Sequence, residues 1–222
     1  LRFGPFIWSF GGDYLTPDMK QSALDSPEAK EAFAFFVELY TEYKVVPPGL
    51  TAMNPQEVRT QLAQKKVAMI LGSGWTPPIV NALNPDLNAF EVLQCAPAPM
   101  KRTQATSIWL SSWVMSPNTK HPDEAWEFVK FSDGPEANKI QGEDGIDIPA
   151  YIEAQKFYSE GFQNIDAGVF MKAAENAVKF PAGPALTKWW GVVNDNAARI
   201  LAGEVTPEEG CATIYQEMQR II

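Results

Sequence analysis

A single histidine, His121, and two cysteines, Cys95 and Cys211, leave this chain poor in the residues on which most metal sites and nucleophile–base pairs depend. The cysteines lie far apart and in no metal-ligand spacing, so they are either free buried thiols or one long-range disulfide. His121 precedes Pro122 and Asp123 and reads as a helix start. No catalytic residue, metal or cofactor is expected. No apolar stretch approaches the ~20 residues that cross a bilayer, which excludes direct membrane insertion as a helix. Basic residues are also few: 18 against 27 acidic ones give a formal net charge of -9. That charge repels phosphate backbones and anionic bilayers, so nucleic acid is excluded as a partner. No internal repeat is visible. Leu1 is preceded by neither a methionine nor a charged-then-apolar leader, and the chain reads as trimmed.

Apolar surface is plentiful. Hydrophobic residues make up 45% of 222, ample for one large or two small domains with a real core. Aromatics reach 12% and include 7 tryptophans, a supply of stacking surfaces suited to neutral, ring-shaped or apolar ligands.

Caps and breakers divide the chain into many helices and few strands. Phe3 to Phe10 is an aromatic run closing on Gly11, Gly12 and Asp13, a strand or helix end entering a turn, and Leu15 to Leu24 is polar loop. Ser26, Pro27 and Glu28 start a helix whose apolar face carries Ala29, Ala32, Phe33, Phe36, Val37 and Tyr40. Pro47, Pro48 and Gly49 break the chain before a short helix from Asn54 and Pro55. Strands are expected at Val67 to Leu71, Phe90 to Leu93 and Ser107 to Met115, with a short helix around Ile79 to Leu83. A helix from His121 or Pro122 should bury Ala125, Trp126, Phe128 and Val129, and Pro135 should start another. Further helices are expected at 152–158, 167–178, 185–202 and 206–222. Thr206 and Glu209 form a capping box in the last, with Cys211, Tyr215, Met218 and Ile222 along one side. The pattern is α/β with small sheets.

One stretch bears on function more than the rest. In Q-K-K-V-A-M-I-L-G-S-G-W the apolar run ends in a turn where Gly72 and Gly74 allow close backbone approach, and the turn delivers Trp75. An indole at a strand end could stack on the apolar face of a sugar ring. It could equally close the core, the default for tryptophan on burial alone.

Several further landmarks occur in order: Trp8 with Gly11-Gly12; D-S-P-E-A at 25–29; K-V-A-M at 66–69 leading to Gly74 and Trp75; S-P-N-T-K-H-P-D-E-A-W-E-F at 116–128; G-I-D-I-P at 145–149; Trp189-Trp190; and G-E-V-T-P-E-E at 203–209. In this order and spacing the chain resembles, nearly end to end, the C-terminal portion of extracellular solute-binding proteins of the maltose-binding, carbohydrate-uptake type. The resemblance implies a type II periplasmic-binding-protein-like α/β fold, in which two lobes joined by hinge strands close on a ligand. It implies that 1–105 is a second-lobe portion entered at Leu1, that 106–158 is a crossover segment belonging with the first lobe, and that 159–222 returns to the second. The N-terminal portion of the first lobe is then absent, and the apolar helix faces of the crossover segment must pack elsewhere or be disordered.

The resemblance also implies the site. Trp75 and Trp190 fall on the stacking aromatics, with Trp189 competing for the second place. Trp8 and Gly12 fall on a cleft-lining turn, Gly74 leads into the ligand-stacking Trp75, and Asp147 falls in a ligand-approaching loop. Trp109 and Ser111 match a stretch near the hinge where W-L-S-S-W replaces the usual glycines. The implied role is the substrate-binding component of an ABC importer, capturing a sugar or related solute in an interlobe cleft. Its partners are that solute and the membrane permease subunits. Its place is periplasmic or extracellular, with a lipid anchor on the missing N-terminus. The alternatives are a carbohydrate-active enzyme fragment using Glu143, Asp144 and Asp147, although nothing sets two of these across a scissile bond, and a structural module without a small ligand.

Overall fold

Serine, threonine and proline set several of the helix starts, as their backbone chemistry favours. The computed structural model describes residues 3–47, 49, 53–145, 147–162, 164–181 and 185–222; Leu1, Pro48 and Ile146 lie outside the described residues. In chain order the helices and strands are α1 (Gly4–Ser9), α2 (Pro27–Thr41), α3 (Pro55–Ala63), α4 (Thr76–Leu83), α5 (Ala89–Val92), β1 (Thr106–Ile108), α6 (Pro122–Ser132), α7 (Pro135–Glu143), α8 (Gln155–Gly161), α9 (Gly168–Glu175), β2 (Ala177–Lys179), α10 (Leu186–Leu201) and α11 (Pro207–Gln219). Ser26 caps α2 by accepting from the Ala29 amide at 3.3 Å, and at α11 the Thr206 hydroxyl accepts from the Glu209 amide at 3.2 Å. The Glu209 carboxylate in turn accepts from the Thr206 amide at 3.0 Å, and the bonds it accepts from Thr206 hold the Glu209 pKa below the usual carboxylate range.

The chain folds as two packing units. The first gathers Leu1–Asn54, Ala98–Trp109 and Asn176–Ile222. Here α1, α2, α10 and α11 enclose a core that includes Ile7, Phe33, Val193, Ile200, Cys211 and Ile214. In α1 the indole of Trp8 folds back over Gly4, where an added Cβ would lie 2.7 Å from the ring. In α11 the buried line is Cys211, Ile214 and Met218, while Tyr215 is half-buried and Ile222 exposed, because the contact with α10 follows the i, i+3, i+7 row. The sheet of this unit is two parallel strands, with Thr106 opposite Ala177 and Ile108 opposite Lys179.

The second unit gathers Pro55–Pro97 and Leu110–Glu175 and holds two smaller cores. One joins Leu62, Ala63, Val80 and Ala89; the other joins Tyr158, Phe162, Ile165 and Ala167 to Phe90, Leu93 and Cys95. The Gln94 side chain donates to the Asn164 carbonyl at 3.2 Å and adds to the second. Residues 55–97 thus pack with 110–175. Both cysteines are free thiols.

Several expected elements are corrected. Val67 to Leu71 is not a strand: it pairs with no partner among the described residues, and only Val67 and Ile70 pack on the Leu62 core, while Met69 is 85% exposed. Phe90 to Leu93 is not a strand either but the one-turn α5. Asn88 turns the backbone left-handed at φ 52° and the Asn81 side chain accepts from the Ala89 amide at 3.2 Å, which starts a helix. Of Ser107 to Met115 only the first two residues pair, and the strand begins one residue earlier at Thr106. The helix expected over 167–178 ends at Glu175, and Ala177 and Val178 join β2. The run from Phe3 to Phe10 resolves as helix α1.

The buried stripe expected on α6 is also overturned. No residue of α6 is buried, and Trp126, Phe128 and Phe131 are all more than half exposed. Trp113 meets Phe128 edge-on at 5.1 Å, yet both rings remain open. Amphipathic spacing states that a helix has an apolar face; it does not supply the surface that covers it. Trp126→Ala is therefore expected to cost under about 0.5 kcal/mol in urea unfolding of this chain, against the ~3–5 kcal/mol of a buried tryptophan. A loss above ~2 kcal/mol would show that the ring is covered.

Candidate functional site

In the second unit the turn before α4 presents Trp75 outwards. The Ser73 carbonyl accepts from the Thr76 amide at 2.9 Å, and the Thr76 hydroxyl accepts from the Ser73 amide at 3.1 Å. Gly72 makes room for that hydroxyl, since a Cβ there would lie 2.6 Å from Thr76 Oγ1. Gly72 therefore serves the turn itself. Gly74 and Thr76 are buried on either side of an indole that is 44% exposed, so the chain tucks its small residues in and its large one out. Trp75 is not a core residue.

The indole is also held. Its Nε1–H donates to Oδ1 of Asp147 at 2.5 Å, joining two candidate residues that lie in separate stretches of sequence. Asp147 is half-buried, and its second carboxylate oxygen has acceptor capacity for a hydroxyl. An open apolar ring with a carboxylate fixed at its edge matches a sugar, whose C–H faces are apolar and whose rim is hydroxylated. Ser111, which follows β1, is exposed. Glu143 and Asp144 are exposed as well, and Glu143 pairs with Lys139 at 3.5 Å. A hollow of about 580 Å³, lined by Leu62, Val67, Leu87 and Leu93 with Lys65 and Lys66 at its wall, contains neither Trp75 nor Asp147.

The first unit carries an aromatic cluster around Phe180. Trp109 stacks on Phe180 with centroids 5.0 Å apart and planes 19° apart, and Phe180 stacks on Trp189 at 5.6 Å and 7°. Trp190 leans on both, 5.7 Å from Trp109 and 5.3 Å from Phe180. Trp109 is 53% exposed and Trp190 half-buried, whereas Trp189 lies in the core at 3%. Of the neighbouring pair, Trp190 is thus the open ring. Trp8 is core too, its Nε1–H donating to Asp13 at 2.9 Å, and it meets Phe180 edge-on. Gly12 serves packing: a Cβ there would meet the Ala29 amide nitrogen and the Ile7 side chain, both at 3.1 Å.

Phe180 and Tyr14 were missed in the sequence. A signal for Phe180 exists, since an aromatic follows the β-favouring A-V-K and precedes Pro181, as at a strand end. Tyr14 is fully enclosed against Phe180 and Trp189. Burial, with the nearby Asp13 charge, pushes its phenol far above the ordinary tyrosine value, so it stays neutral. Burial likewise pushes the Cys211 thiol up to about 12, which keeps it from acting as a thiolate nucleophile. Among the described residues no cluster of three or more His, Cys, Asp or Glu could hold a metal ion, and no helix is long and apolar enough to cross a membrane.

Residues 2–139 match the sequence model of the bacterial extracellular solute-binding protein family. The chain is similar to an ABC transporter solute-binding protein of Thermotoga lettingae bound with alpha-D-tagatose: TM-score 0.85, 25% identity, over 99% of this chain and 55% of that one. It shares its fold with maltose-bound MalE3 of T. maritima (TM-score 0.82, 22% identity, 100% of this chain and 57% of that one). The same holds for the maltose/maltodextrin-binding domain MalE of Bdellovibrio bacteriovorus bound to maltotriose (TM-score 0.83, 17% identity, 98% and 56%). The chain spans little more than half the length of each of these relatives.

Proposed function

Because this chain belongs to the bacterial extracellular solute-binding protein family, we propose that it is part of the sugar-capturing component of an ABC importer and binds by aromatic stacking and hydrogen bonding, without covalent chemistry. The observation that carries this reading is the exposed Trp75 indole fixed at its edge by Asp147. The open faces of Trp109 and Trp190 supply further stacking surface in their own unit. The solute class is a neutral sugar or related polyol, which the formal charge of -9 does not repel. The partners follow from the role: permease subunits in the membrane, with the protein working outside the cytoplasm, held there by a lipid.

A thermal-shift screen of the whole protein against monosaccharides, malto-oligosaccharides and polyols tests this. A cognate sugar at a hundred times its Kd stabilises by about 2.7 kcal/mol and raises Tm by several degrees. A flat response across the panel would count against a sugar receptor. Hydrolysis of a glycoside in the same samples would replace binding by catalysis, with the carboxylates at 143, 144 and 147 as its suspects.

A further inference from the structure

Parallel pairing of β1 with β2 ends at Ile108 opposite Lys179, so the next residue of each strand, Trp109 and Phe180, stand side by side at the strands' C-terminal ends. Phe180 is nearly parallel both to Trp189, which is fixed in the core at 3% exposure, and to Trp109, which is 53% exposed. The alignment of a buried ring is thereby handed through Phe180 to an open one. We propose that Phe180 is a positioning residue that sets the outer face of Trp109 for stacking on the apolar face of a six-membered sugar ring. This rests on the sugar-receptor reading and deepens it.

The physical reason is preorganisation. An exposed indole following a three-residue strand has two free side-chain torsions, and a ligand that stacks on it must freeze both. Phe180 and the flanking Trp190 freeze them beforehand, with centroids 5.0 Å and 5.7 Å from Trp109. Leucine at 180 keeps apolar volume but offers no flat face. Tyrosine keeps the face.

The test uses the whole protein as Trp109→Ala, Phe180→Leu, Phe180→Tyr and the Trp109→Ala/Phe180→Leu double variant, with Trp75→Ala alongside. Calorimetric titration with maltotriose and with D-tagatose gives affinities, and near-ultraviolet circular dichroism reports the coupled Trp109 and Trp190 rings. Trp109→Ala is expected to lose about tenfold in affinity, the scale of one aromatic stacking contact. Phe180→Leu should lose about fivefold and flatten the dichroic couplet, Phe180→Tyr should restore both, and the double variant should bind no worse than Trp109→Ala alone. Losses that multiply in the double variant, or a couplet untouched by Phe180→Leu, would overturn the positioning role. If Trp109→Ala binds as tightly as the parent while Trp75→Ala does not, the receptor reading stands and this placement fails. If neither sugar binds the parent, that reading fails for both probes, and the couplet alone decides whether Phe180 orients Trp109.

Discussion

Trp75→Ala in the whole protein is expected to weaken sugar binding about 30-fold, the ~2 kcal/mol at which a tryptophan anchor counts as a hot spot. The size follows from what the ring combines. The residue is 44% exposed, and its N–H ties it to Asp147 at 2.5 Å, so little side-chain freedom remains to be lost on binding. Trp75→Phe separates these parts, because it keeps a flat ring and removes the donor. It should lose only about threefold to fivefold, the worth of one hydrogen bond. Titration calorimetry with the best-stabilising sugar of the panel measures both. An alanine variant that binds as tightly as the parent, with an unchanged Tm in the absence of sugar, would remove Trp75 from the site.

Phe33→Ala should cost about 3–5 kcal/mol of unfolding free energy, a large share of the 5–15 kcal/mol that holds a typical domain together. Phe33 is 1% exposed on the buried face of α2, and its ring centroid lies 5.5 Å from that of Phe3. Removing it leaves a cavity in the core beside the Phe3 ring, and the cost rises with the volume that the surroundings fail to fill. Urea unfolding should show a lower midpoint at unchanged slope. A cost below ~1 kcal/mol would mean that the core relaxes freely around the vacancy, contrary to the enclosure of this ring. The contrast with Trp126, an equally apolar helical position with an expected cost under about 0.5 kcal/mol, makes the pair a direct test of which helix faces are covered.

Helix starts were legible because their determinants lie within four residues of one another. Ser26 and Thr206 each accept from a backbone amide within their own first turn, Pro122 after His121 removes a donor that would have no helical partner, and each begins a helix where expected. The family resemblance was equally legible, as ordered landmarks need no coordinates. At the candidate site the residue types could be read but not their neighbours. Trp75 could be named, yet Asp147 becomes its partner only through a hydrogen bond between distant stretches. Phe180 went unnoticed because its meaning lies in the rings around it.

Sequence by itself thus determined the family, the helix starts and the abundance of aromatic rings, all of which follow from short-range backbone chemistry and motif order. Tertiary structure alone decided which apolar runs became strands, since a strand needs a distant partner: β1 has one in β2, and Val67 to Leu71 pairs with none among the described residues. It also decided which tryptophans are buried and which open. Trp189 and Trp190 are adjacent on one helix, and the helical turn of about 100° per residue sends one into the core and the other to its edge. That choice depends on what packs against α10, and no local signal carries it.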